Sequence, residues 1–291
     1  MQKVAIMADS NCGIFPEEGK KLGVSIIPMP VIIEEITYYE GVDITIEEFY
    51  RKQAEGVEIT SSLPSPGIVM DMWDELLKDH EEVVYIPMTS GLSSSCANAK
   101  MLAQDYEGRV HVVDNHRISV TQAQSVFDAL EMAEKGMSGA EICETLEREA
   151  LDASIYIAVD TLEYLKKGGR VTAAGAAIGT VLNIKPVLTI QGEKLDAFAK
   201  VRGMKSAFKT MCKALKKDID GRFHELHEKG ELYLGIANTY MEPETLEMWK
   251  KELEKAFPGE KIMHYPLTLS IGCHIGPGGL GIGCVRKGEV L

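Results

Sequence analysis

The chain has 291 residues, 45% hydrophobic and 26% charged, with a formal net charge of −13. That length exceeds the size at which one hydrophobic core usually stops growing, so a soluble globular chain with two domains is expected. The acidic balance excludes a strong non-specific hold on nucleic acid, which needs a basic stripe, and opposes adhesion to an anionic membrane surface.

No apolar stretch is long enough to span a bilayer, and no secretory n-region followed by an apolar run is seen. The expectation is a cytoplasmic protein without stable membrane insertion. Six scattered cysteines (12, 96, 143, 212, 273 and 284) form no CxxC pair and no zinc spacing. They read as buried small hydrophobes.

In chain order, KVAIMA (3–8) is a buried strand, PEEGKKL (16–22) a short helix and VSIIPMPVII (24–33) a second extended run. Thr45 and Glu48 have capping-box spacing, and Ser65 followed by Pro66 opens a helix with Val69, Trp73, Leu76 and Leu77 on one face. Strand 82–88, helix 94–104, strand 109–114 and helix 119–135 follow, and Ser138 with Glu141 starts a helix ending near Ala150. This alternation predicts an N-terminal α/β domain, residues 1–152, built on a parallel sheet covered on both faces.

From 153 to 291 the rhythm changes. SIYIAV (154–159) leads to a short helix and a small-residue stretch, TAAGAAIGTVLN (172–183). KPVLTI and KLDAFAK, joined through Gln191, Gly192 and Glu193, read as a hairpin. A long helix over 203–228, strand LYLGIA, helix 242–256, strand KIMHYP and a glycine-rich end complete a C-terminal α+β domain with antiparallel pairs.

Two hydroxyl-rich helix entries stand out. MTSGLSSSCANAKML (88–102) places Ser93, Ser94 and Ser95 at a strand-to-helix corner, and ITSSLPSPG (59–67) places Ser61, Ser62 and Ser65 at another. Each reads either as a capped helix start or as donors for an anion beyond the carboxyl ends of sheet strands. Asp9, after the first strand, is expected to accept from backbone amides rather than bind metal. GCHIGPGGLGIGC (272–284) contains GxGxxG but lacks the following βαβ unit, so it is no dinucleotide site. Its glycines suit close approach of backbone to a neighbour or ligand, and His274 among them is either a structural histidine or an anion partner. Arg170 and Arg202 bring guanidinium groups suited to carboxylate or phosphate. His224 and His227 are expected on a wet helix surface. With no G-x-S-x-G elbow, Walker A loop, HExxH or kinase signature, the reading moves toward binding, without metal or cofactor.

ADSNCG (8–13), PMPVII (28–33), YYEGVDIT and EEFY (38–50), SSLPSPG, SGLSSS, HVVDN, VDTLEYLKKGGRV (159–171), NIKPVLTI, KVRGMKSA (200–207) and GCHIGPGGLG follow one another along the whole chain. In this order and spacing they resemble the DegV family of bacterial fatty-acid-binding proteins, which includes the FakB subunits of fatty acid kinase. The resemblance implies a two-domain protein enclosing one long-chain fatty acid between its domains, with no catalytic residues of its own. It implies a carboxylate held by Ser61, Ser93, Ser94 and His274, with Arg170 and Arg202 near the head group or facing a separate ATP-dependent kinase subunit that forms an acyl phosphate. Serine at 61, leucine at 63 and Leu92-Ser93-Ser94 depart from the family's usual TSxPS and LSG patterns. The tunnel lining is sought in stretch 173–184 and in methionine-rich helices. The alternative is a hydrolase of acyl esters or acyl phosphates, with Ser93 as nucleophile and His274 as base.

Overall fold

The computed structural model describes residues 3–176, 183–192 and 194–288. Seven strands form in the first part: β1 (Val4–Asp9), β2 (Val24–Ile27), β3 (Pro30–Ile33), β4 (Ile36–Tyr39), β5 (Ile59–Ser61), β6 (Glu82–Ile86) and β7 (Val110–Val112). A parallel sheet runs β2-β1-β6-β7, and a separate antiparallel sheet runs β4-β3-β5.

Successive side chains of a strand point to opposite faces, and β1 shows the consequence. Val4, Ile6 and Ala8 pack with Val126, Met132, Ile142 and Leu146 from helices Val120–Glu134 and Gly139–Arg148. Ala5 and Met7 face Trp73 and Ala99 from helices Pro66–Leu76 and Ser95–Leu102. Both faces are therefore covered, which is why the run carries no polar alternation. The run at 24–33, expected as one strand, is instead divided between the two sheets. Pro28 has no N–H to continue the ladder that ends at the Asp9–Ile27 pair, and Pro30 opens β3, a position that tolerates the missing donor.

The second part holds β8 (Ala153–Ala158), β9 (Ile184–Ile190), β10 (Asp196–Arg202), β11 (Leu232–Asn238), β12 (Ile262–Pro266) and β13 (Leu280–Arg286), ordered β10-β9-β8-β13-β11-β12. Pairs are antiparallel except β11 with β12. The boundary drawn at 152 falls in the turn between helix Gly139–Arg148 and β8. One face of this mixed sheet, with Tyr156, Leu234, Ile236, Ile282 and Cys284, packs on Phe208, Met211 and Leu215 of helix Met204–Asp220 and on Trp249 and Leu253 of helix Pro243–Ala256.

Two expectations need correction here. The helix read as continuous over 203–228 stops at Asp220 and resumes at His224–Glu228, because Gly221 leaves the helical region at φ −104°, ψ −103°. The glycine-rich end is a helix, Leu269–Ile275, followed by β13 in the interior of the sheet. That helix lies on the three-stranded sheet, where Leu269 and Cys273 pack with Val31, Ile33, Phe49 and Tyr50.

Candidate functional site

The carboxyl ends of β1, β6 and β7 open onto a cavity of about 260 Å³, whose opposite wall is the second face of the six-stranded sheet. Asn11 comes from the short 3-10 helix Ser10–Cys12 after β1, Met88 and Ile118 from the loops after β6 and β7, and Ile155, Ile157 and Ile190 from β8 and β9.

The void has a sequence cause. Leu234, Ile236, Ile282 and Cys284 point to the helix side of β11 and β13, so Gly235, Ala237, Gly281 and Gly283 fall on the other. Gly235 receives the side chain of Val120, and Gly283 lies against the Ser154 carbonyl. At Gly281 an added Cβ would find no atom nearer than 3.7 Å, and with Ala237 it lines the open cavity. The glycines expected to permit close backbone approach do so at Gly283, while Gly281 leaves room for an occupant.

One end of the cavity is polar. Ser61 closes β5, and its Oγ lies 2.8 Å from Nε2 of His274, in the last turn of helix Leu269–Ile275. The imidazole fits because residue 168 is glycine: a Cβ there would collide with Nδ1. The first turn of the same helix is held by buried Glu40, which accepts from the Leu269 N–H at 2.6 Å. Burial, with the Arg170 guanidinium second, lowers the His274 pKa to about 4, so the ring is neutral at pH 7. Arg170 also lines the cavity and spends one of its N–H donors on the Gly168 carbonyl.

Ser93 and Ser94 stand on the wall as well. Ser93 Oγ accepts from the Ser95 N–H at 3.1 Å and shares a 2.8 Å hydrogen bond with Ser95 Oγ, while Ser94 occupies the N-cap without a side-chain bond. The serine corner is thus both a helix entry and part of the cavity. Ser62 and Ser94 are exposed, so the polar end reaches the molecular surface.

The structure brings Ser61, Ser93, Ser94, Arg170 and His274 to one cavity. Arg202 lies outside it, exposed at the far end of β10, roughly 20 Å along the strand from Asp196, whose neighbourhood holds Thr172. Asp9 accepts from the N–H groups of Asn11 and Met88 and from Gln122 Nε2, and burial raises its pKa to about 6. His224 and His227 pair with Glu228 and Glu260, and no metal-binding cluster occurs among the described residues. The two methionines on the cavity wall, Met29 and Met88, come from loops rather than helices. Of the stretch 173–184, residues 177–182 lie outside the described residues.

Sequence reasoning missed Asn11, Ser119 and Ser270, all on the wall and all buried. Isolated serines carry no motif. Ser119 is also strained, with φ +57° and ψ −137°, a region that costs a non-glycine residue about 1–3 kcal/mol.

The DegV family model, described as an uncharacterised protein family, matches residues 3–287. The chain belongs to the DegV family. A DegV domain-containing protein of Caldanaerobacter subterraneus is 31% identical over 288 residues, 97% of this chain and 98% of that one. Among solved structures, the fatty-acid-binding DegV family protein of Thermus thermophilus superposes with a TM-score of 0.86 at 29% identity, covering 98% of this chain and 99% of that one. The stearic acid-binding protein of Eubacterium ventriosum gives 0.84 at 27% identity over the whole of both chains.

In this DegV chain the serine facing His274 is Ser61, which corrects the Ser93–His274 pairing of the hydrolase alternative. Among the described residues no carboxylate pairs with His274, so the third group that orients a catalytic base is missing. No helix among the described residues is long and apolar enough to cross a membrane.

Proposed function

We propose that this chain binds one long-chain fatty acid, encloses its tail between the two sheets and presents its carboxylate, at the Ser61–His274 end, to a separate ATP-dependent kinase. The observation that carries the reading is one cavity whose body is apolar and whose surface end bears hydroxyls, an imidazole and a guanidinium. Burial of the about fourteen methylenes of palmitate at ~0.8 kcal/mol each offers ~11 kcal/mol before ordering costs. Desolvating the carboxylate opposes this unless donors meet it, and Ser61, Ser93, the Ser94 amide and Arg170 are the donors to hand. Fatty-acid binding by the Thermus and Eubacterium relatives supports the same occupant here. A general base works best near the operating pH, so an imidazole at about 4 favours a carrier over a hydrolase.

Native mass spectrometry of freshly purified protein should show an added mass of about 250–280 Da, a drug-sized ligand enclosed by its pocket. A bare-protein spectrum, together with no thermal shift on adding palmitate or oleate, would sink the carrier reading. Acyl phosphate should form when ATP and a fatty acid kinase subunit are both added. Its formation from this chain and ATP alone would make the chain itself the enzyme.

A further inference from the structure

The helix that carries His274 is held from behind, at the level of its backbone. Its residues divide by the 3.6-residue turn into two faces. Ser270, Ile271, His274 and Ile275 line the cavity, while Leu269 and Cys273 pack toward the three-stranded sheet. Gly272 lies on that second face, where a Cβ would collide with Tyr50 Oη. Helix Ile46–Ala54, which carries Tyr50, therefore approaches the backbone itself. From one turn further along, the buried Gln53 Nε2 donates to the Gly272 carbonyl at 3.2 Å, joining residues 219 positions apart. That carbonyl already accepts from the Gly276 N–H at 2.8 Å, so the fold does not need a second donor for it. Gln53 also carries a penalty, because its Oε1 is buried with no hydrogen-bond partner among the described residues. On packing grounds an apolar side chain of similar size would serve the core as well or better. What an apolar side chain cannot do is tie the helix at residue 272, two positions before His274.

We propose that Gln53 is a positioning residue for the head-group end of the cavity: its bond to the Gly272 carbonyl sets the rotation of helix Leu269–Ile275 and so places His274 Nε2 against Ser61 Oγ. The effect on affinity rests on the fatty-acid reading of the cavity; the placement of the imidazole does not. Glu40 on the Leu269 N–H and Asn11 on Thr268 and Ser270 hold the first turn of the helix. Gln53 holds the next one, which bears His274. A side-chain tip lies ~5–6 Å from a helix axis, so a rotation of roughly 10° moves it by ~1 Å. A shift of that size is enough to break the 2.8 Å Ser61–His274 bond.

The test compares delipidated wild type, Gln53→Leu, Ser61→Ala and the double variant by thermal melting, by isothermal titration with palmitate and by the ring nitrogen resonances of His274 without ligand. In Gln53→Leu the melting temperature should hold or rise, because an unpaired buried acceptor is removed. Its His274 Nε2 resonance should move toward that of Ser61→Ala, and its palmitate Kd should rise about fivefold. Ser61→Ala should weaken binding about tenfold, and the double variant should be no weaker, because both changes remove the same contact. A palmitate Kd within about twofold of a wild type that binds, losses that add in the double variant, or an unmoved Nε2 resonance overturns the proposal. Gln53→Met is the second apolar variant: a melting temperature that falls in both it and Gln53→Leu assigns the residue to the fold and overturns the proposal as well. A moved resonance with no palmitate binding by wild type leaves the positioning role standing and overturns the carrier reading.

Discussion

The two faces of the six-stranded sheet are built from alternate residues of the same strands and do opposite things. On the helix side, β11 and β13 present Leu234, Ile236, Ile282 and Cys284, fully buried against two long helices. On the cavity side, the same two strands present Gly235, Ala237, Gly281 and Gly283. Packed side chains hold the domain together; one residue along, Gly235 and Gly283 admit close neighbours, while Ala237 and Gly281 leave open space. A cavity here is not a packing defect but a consequence of period-two patterning with glycine and alanine on one phase.

The contrast is sharpest if the faces are altered one at a time. Leu234→Ala empties a core position and should cost about 2–5 kcal/mol of stability, read by urea denaturation, while the folded fraction keeps its palmitate affinity. Gly281→Val should do the reverse. Its Cβ meets only ordinary contacts and valine suits a strand, so the melting temperature should hold. The added side chain displaces about three carbons of ligand, a loss of ~2 kcal/mol or about thirtyfold in Kd. Reduced stability without reduced binding in Gly281→Val would mean that the glycine serves packing, and the two faces would no longer differ in kind.

Much of this was legible from the residues, and the exceptions share one physical cause. Apolar runs such as KVAIMA gave their strands because burial on both faces leaves no alternation to misread. Ser138 and Glu141 gave a helix start because a capping box is local, and both of its bonds form. The Ser61–His274 bond joins residues 213 positions apart, a distance no spacing rule spans. Those residues were found through family resemblance, and their pairing through the fold. β13 was hidden because glycine has low strand preference, although glycine is what the cavity face requires. Ser119 and Ser270 had no local signature, since their setting comes from three separate segments.

The cavity face is bordered by helix Leu269–Ile275, and the two ends of that helix should respond to pH differently. At its start, burial raises the Glu40 pKa from 4.5 to about 7. Between those values the folded chain keeps a proton that the unfolded chain has released, so stability falls as pH rises from about 4.5 to 7. Glu40→Gln retains an acceptor for the Leu269 N–H without the charge. It should match wild type near pH 4 and exceed it by about 2–3 kcal/mol at pH 8 in denaturant titrations. A constant offset at all pH values would mean that Glu40 is ionised throughout.

At the other end, His274 is already neutral over the range in which proteins are normally handled, held near 4 by burial and by the Arg170 guanidinium. A neutral ring contributes no charge to be lost, so laurate affinity should be flat from pH 6.5 to 8.5 within about twofold. If instead a bound carboxylate lifted the imidazole pKa into that window, affinity would fall as pH rises through it. Arg170→Gln separates the cases. Removing the cation should weaken binding by about tenfold, the scale of one charge-assisted hydrogen bond, and remove a repulsion that keeps the ring neutral. Burial, the larger cause, still keeps the ring neutral in the variant, so its weaker binding should stay flat over the same pH range. A slope already present in wild type and unchanged in Arg170→Gln would assign the head-group charge to His274 rather than Arg170.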